Sequence, residues 1–216
     1  MSTLYTIGGS ARSGKTTTLN MIMERHPIMA ISFDAVREGM RNALIGESYI
    51  SATSISFEGK ATFHRPGEKS DITHTEQFSQ ETNQDDLAWK TMEGIIAFYD
   101  RKNISLAIEG ASITPERIKK LNLKNLILRP VFVGFMNESY LDTILEQSNI
   151  KKDWIYRWIQ ENNGDDTVVR NWFDNQLQEN YLIAQQAKEY GYHFFEIKEN
   201  NFEENCKAMA KYLLSQ

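Results

Sequence analysis

A chain of 216 residues with a formal net charge of −5 and a pI near 5.5 is long enough for one well-filled α/β domain, and too acidic for a general nucleic-acid or membrane-surface binder,. The one cysteine, Cys206, excludes an internal disulfide and a thiolate metal cluster; it fits a reducing cytoplasm and a helix-packing role. The N-terminus reaches a glycine loop without a basic region followed by an apolar core, so no signal peptide is expected, and no apolar run approaches the roughly eighteen residues of a membrane span.

The stretch LYTIGGSARSGKTTTL, Leu4 to Leu19, organises the rest. Gly9, Gly14, Lys15 and Thr16 fit GxxxxGK[ST] between an apolar, β-prone run and a helical pattern, where the mechanism of that motif needs them. Main-chain N–H groups of Gly9, Ser10, Ala11, Arg12, Ser13 and Gly14 can turn inward around a triphosphate. The helix that follows points its positive end at the same anion, Lys15 can reach the β- and γ-phosphates, and the Thr16 hydroxyl, with Thr17 beside it, is placed to ligate Mg²⁺.

The first helix is expected to end at Arg25, since Pro27 disfavours helical geometry at His26. Ile28 to Phe33 reads as a buried strand that stops at Asp34, a carboxylate that either joins the site at the strand end or caps the next helix. That helix, Ala35 to Leu44, carries Arg37 and Arg41 four apart, suited to an anionic acceptor or to a solvated face. From Ile45 to Asp86 periodicity dissolves, and the stretch reads as an acceptor-binding insertion containing His64, Arg65, Lys69 and His74, with no metal-ligand spacing.

Helical spacing returns from Asp86 to Tyr99, with Trp89 expected in the core. Ile104 to Ile108 is a second buried strand ending at Glu109 and Gly110. An acid at that point resembles a Walker-B carboxylate, although Glu in place of Asp leaves open whether it meets metal, metal-bound water or acceptor. Thr114 and Pro115 open a short helix that includes Arg117. Leu126 to Phe135 is a strand whose first part Pro130 should keep outside the central ladder. After a helix over Asn137 to Gln147, the segment Asn149 to Asp166 mixes Lys151, Lys152 and Arg157 with Trp154, Tyr156 and Trp158. A long helix, Thr167 to Tyr190, carries Arg170 near its start and stops at Gly191. A last strand, Tyr192 to Ile197, with His193 expected in the core, and a closing helix, Phe202 to Leu214, complete a single domain over residues 1–216.

Alternating strands and helices imply a parallel sheet covered on both faces. GGSARSGKTT, the SFD stop, AIEGASITPERI and the arginine-bearing segment after Asn149 together resemble the small-molecule kinase branch of the P-loop NTPase fold. Within it the chain is similar to 2-phosphoglycerate kinase-like and uncharacterised AAA-type kinases, with shikimate kinase, chloramphenicol phosphotransferase and zeta toxin more distant. The resemblance implies a three-layer sandwich with a five-stranded sheet in the order 2-3-1-4-5, an acceptor near Asp34 and the insertion, and a lid over residues 149–166. It implies ATP and Mg²⁺ as cofactors, Lys15 and Thr16 as their contacts, and Asp34 as acceptor contact or base. Arg157, then Arg170, are the lid arginines it implies, and Arg12 screens the transferring group.

The expected reaction is transfer of the ATP γ-phosphoryl to a hydroxyl or acid of a small, anionic acceptor. Arg37, Arg41, Glu109 and Gly110 join Asp34 on the acceptor side, and Thr16 and Glu109 are the metal candidates. A regulatory or switch-type ATPase would need a water-positioning residue that is not evident. A nucleic-acid end kinase has only the Lys151 to Trp158 segment in its favour. The protein is expected to be cytoplasmic, a monomer or homodimer, with no membrane partner.

Overall fold

The apolar run ahead of the glycine loop forms strand β1 (Thr3–Gly9), and helix α1 (Lys15–Arg25) leaves the loop and ends at His26. The computed structural model continues with β2 (Met29–Ser32), α2 (Phe33–Gly46), α3 (His74–Lys102), β3 (Leu106–Gly110) and α4 (Pro115–Lys119). Then come β4 (Ile127–Gly134), α5 (Tyr140–Lys151), α6 (Trp154–Glu161), α7 (Thr167–Glu189), β5 (His193–Glu196) and α8 (Phe202–Ser215). The structure describes residues 2–46, 74–198 and 201–215. Most of the expected insertion, with His64, Arg65 and Lys69, lies outside them, and so do the side chains of Arg41 and His74, whose backbones belong to α2 and α3.

Among the described residues the strands form one parallel sheet in the order β2-β3-β1-β4-β5. Successive side chains of a strand point to opposite faces, and the strand sequences use that alternation. Ile7, Ala107, Val131 and Val133 pack on one face under α1, α5, α7 and α8, while Leu4, Leu106, Ile108 and Phe132 pack on the other under α3 and Ile118 of α4. α7 serves both sides, Phe173 and Leu177 joining the first cluster and Ile183 and Ala187 the second. Two buried faces explain why the strands read as nearly unbroken apolar runs. β1 lies between β3 and β4, so its carboxyl end, where the loop begins, has a strand end on either side.

Several sequence expectations shift. Phe33 begins α2 instead of ending β2, which moves Asp34 into the first helical turn, and α3 begins at His74, well before the expected Asp86. Pro130 is not outside the ladder, since it sits opposite Thr6 of β1. Its missing N–H is tolerated because pairing with β5 starts only at Val131,. His193 is exposed at the sheet edge and stacks on Tyr212 with ring centroids 4.6 Å apart, so the core role expected for it is wrong. Among the described residues β5 is bonded on one side only, and its pattern of exposed and half-buried residues is that of an edge.

The approach to β4 is pinned by Asp100 near the end of α3. Its carboxylate accepts from the backbone N–H groups of Lys124, Asn125 and Leu126 at 2.9–3.2 Å. Burial pushes this carboxyl up, but the three backbone donors outweigh it, so its pKa lies below the ordinary value,. Asp100→Ala is expected to lower stability by at least about 2 kcal/mol in a denaturant melt, because three donors lose their acceptor. The wild-type share is complete above the unfolded carboxyl pKa of about 4 and is lost as pH falls through the lower folded value. The gap between the two proteins should therefore narrow in acid.

Candidate functional site

Between β1 and α1 the main chain curls through residues 10–14, and left-handed backbone makes the curl possible, with φ of 131° at Gly9, 65° at Arg12 and 86° at Gly14. A Cβ at Gly9 would overlap the Val133 carbonyl oxygen of β4. The loop is therefore pressed onto the sheet as tightly as backbone can be. At Gly14 a Cβ would stand 2.6 Å from Cys206 Sγ, so α8 supports the loop from below.

Gly14 is the N-cap of α1, and no side chain caps the helix. The N–H groups of Lys15, Thr16 and Thr17 thus have no intrahelical acceptor and, with the helix dipole, favour an anion at this spot. Among the described residues Ser10 Oγ is buried without a hydrogen-bond partner, a further polar atom available to a ligand in the loop,.

Lys15 is buried, and its Nζ donates to the Ser10 carbonyl oxygen at 2.6 Å. Burial lowers its pKa, while the carboxylates of Glu109 and then Asp34 pull the other way. The three residues come together because the register aligns the strand ends: Ile7 of β1 faces Glu109 of β3, which faces Ser32 of β2, two residues before Asp34. Glu109 is buried and Asp34 exposed. Gly110 follows Glu109 and packs against Phe33, which seats the start of α2 over the end of β3.

A cavity of about 510 Å³ opens beside the loop, lined by Lys15, Thr16 and Thr17, by Thr143 and Lys151 of α5 and by Phe202 of α8. Its size suits a nucleotide-sized ligand. Among the described residues no group of three or more His, Cys, Asp or Glu side chains could hold a metal ion.

On the β2–β3 side a network of two arginines and three aspartates covers the strand ends. Arg37 donates to Asp34 at 3.2 Å and to Asp85 at 3.1 Å, and the Ser112 hydroxyl donates to Asp85 at 2.5 Å. Arg117 donates to the Ser112 carbonyl at 2.8 Å and to Asp86 at 2.5 Å, with its guanidinium 5.6 Å from the centre of the Trp89 ring. Asp85, Asp86, Ser112 and Arg117 escaped the sequence reading as site residues. The one available signal was the run from Glu109 to Arg117, which curls back over the strand end.

The lid candidates are placed differently from one another. Arg157 is exposed on α6, one turn beyond Asp153, and among the described residues nothing holds its side chain. Arg170 is exposed in the first turn of α7 and paired with Asp166 at 2.7 Å. Arg12 leaves the loop and pairs with Asp153 at the start of α6.

Cys206 Sγ lies 3.7 Å from the Gly14 carbonyl oxygen, and burial pushes the thiol up from its ordinary value. The native protein should resist iodoacetamide at mildly alkaline pH and react readily in denaturant, with mass spectrometry reading the adduct. Rapid labelling of the folded chain would show that α8 does not seal the loop from below.

No family model and no curated protein matches the chain. Solved structures do. Shikimate kinase from Bacteroides thetaiotaomicron shares 14% identity over 99% of both chains with a TM-score of 0.55. An uncharacterized protein from Eubacterium ventriosum shares 11% over 100% of both, with a TM-score of 0.51. Dephospho-CoA kinase from Campylobacter jejuni shares 14% over 100% of this chain and 99% of its own, with a TM-score of 0.50. At such identities the likeness establishes the fold alone, a five-stranded parallel sheet in the order 2-3-1-4-5 covered by helices on both faces.

Proposed function

We propose that this chain is an ATP-dependent phosphotransferase that moves the γ-phosphoryl group to a hydroxyl or acid of a small molecule. The observation that carries the reading is the buried Lys15 ammonium, set between an uncapped helix N-terminus and the carboxylates of Glu109 and Asp34. Backbone N–H groups of residues 10–16 hold the phosphates. The Lys15 ammonium exchanges the Ser10 carbonyl for phosphate oxygens and meets the charge that develops as the phosphoryl group passes between oxygens.

The donors present fit Mg·ATP: the exposed Thr16 hydroxyl is a hard oxygen ligand, and Glu109 is a second oxygen within the field of Lys15. When bound, Mg²⁺ neutralises phosphate charge. Asp34 orients the acceptor hydroxyl and takes its proton as the new P–O bond forms and the bond to ADP breaks. An anionic acceptor is held by Arg37 and Arg117, each of which gives up an aspartate partner to take it. Arg157, exposed on α6, is the arginine free to swing toward the phosphates.

Incubation with Mg·ATP and pooled small molecules should release ADP in an acceptor-dependent way. Fast turnover without any acceptor would replace this reading with a switch-type ATPase. Lys15→Ala should abolish transfer and weaken ATP binding. Asp34→Asn should retain ATP binding and slow transfer by roughly 10²–10⁴-fold, a loss read in kcat; wild-type rates would reduce Asp34 to a surface residue of α2.

A further inference from the structure

Arg12 stands where backbone geometry argues for glycine. Its φ of 65° is left-handed, a conformation that is unfavourable by about 1–2 kcal/mol for a residue with a Cβ,. Its side chain does not fold back over the loop to which it belongs. It crosses to the corner between α5 and α6, where Nη2 donates to Asp153 Oδ2 and, at 3.4 Å, to Ser148 Oγ. The guanidinium carbon lies 5.9 Å from the centre of the Trp154 ring, and the Tyr140 hydroxyl donates to the Arg12 carbonyl at 3.3 Å.

The pair is largely enclosed, with side chains 23% and 19% exposed, yet among the described residues Arg12 Nε is buried without a partner. A guanidinium left partly unsatisfied on a strained residue is a poor stabilising device. Asp153 has a second task, since its Oδ1 accepts from the Ile155 N–H and caps α6. Immediately before it, Lys152 is the other left-handed non-glycine residue of this contact, with φ of 52°, and ends α5. Two strained corners, one on the glycine loop and one at the α5–α6 turn, are thus joined by one ion pair, whose Arg12 lines the cavity together with Lys15.

We propose that Asp153 is a positioning residue that competes with a cradle-bound anion for Arg12. The inference rests on the loop being a phosphate site. A phosphate offers the guanidinium a bidentate partner of higher charge, and the same phosphate repels the Asp153 carboxylate. Binding therefore transfers Arg12 from α6 to the phosphates and releases the α5–α6 corner. Part of the binding energy of the anion is spent in breaking the pair, so the pair sets affinity without touching the ligand.

Asp153→Asn separates the two tasks of the residue, because asparagine caps a helix as well as aspartate but carries no charge. With Mg·ATP and with inorganic tripolyphosphate as probes, calorimetric titration should show roughly threefold to tenfold tighter binding than wild type. Tripolyphosphate matters because it has no base or ribose to contact the cavity wall. In an Arg12→Ala background the same substitution should change nothing, since the cation competed for is gone.

Asp153→Ser, another capping choice, serves if the asparagine variant does not fold. Unchanged or weaker binding by a variant that melts like wild type overturns the proposal, and so does a gain that persists without Arg12. Lys15→Ala distinguishes the two levels of failure. If it loses binding while Asp153→Asn gains none, the competition is wrong and the phosphate site stands. If Lys15→Ala binds as wild type does, both are wrong.

Discussion

Everything at this site depends on a short piece of main chain held in a conformation it would not choose alone. The loop from Gly9 to Gly14 uses left-handed backbone at Gly9, Arg12 and Gly14, with β4 pressed against it at Gly9 and α8 supporting it through Cys206. Lys15 is then drawn into a place where burial works against its charge and two carboxylates offset part of that effect. Low local dielectric makes each of these charges count for more than it would at a surface.

Around that loop the molecule keeps its charges paired with protein partners. Arg37 and Arg117 are held by Asp34, Asp85 and Asp86, and Arg12 by Asp153. Such pairing keeps cationic side chains in place beside the loop, and in the proposed reaction ligand charge is the agent that rearranges them. The pairs are of unequal depth. Asp34 and Arg37 are well exposed and contribute little to stability, while Arg12 and Asp153 are enclosed and joined to two strained turns,.

The architecture gives these contacts a common address. In a parallel α/β sheet the loops that leave the carboxyl ends of adjacent strands meet at one edge of the molecule, and here they carry the phosphate loop, Asp34 and the run from Glu109 to Arg117,. The α5–α6 corner that follows β4 closes the other side of the loop. No described helix is long and apolar enough to cross a membrane.

Local chemistry was enough to read a good deal of this. The glycine spacing marks the turn between an apolar strand and a helix, and strands buried on both faces announce themselves as apolar runs, so the sheet and the place of the loop ahead of α1 were legible. Pro130 and His193 misled because neighbouring strands decide whether a missing N–H matters and whether an aromatic segment lies inside or at an edge. Asp34 moved from strand end to helix because Phe33 finds its burial against Gly110, far away in the chain. Asp85, Asp86 and Asp153 look like ordinary helical or capping acids until the fold sets an arginine opposite each. Sequence by itself determined which segments could form and which could grip an anion, because those properties depend on neighbours along the chain. Tertiary structure alone decided which charges face one another, because ion pairs act through space between residues as distant in the chain as Arg12 and Asp153.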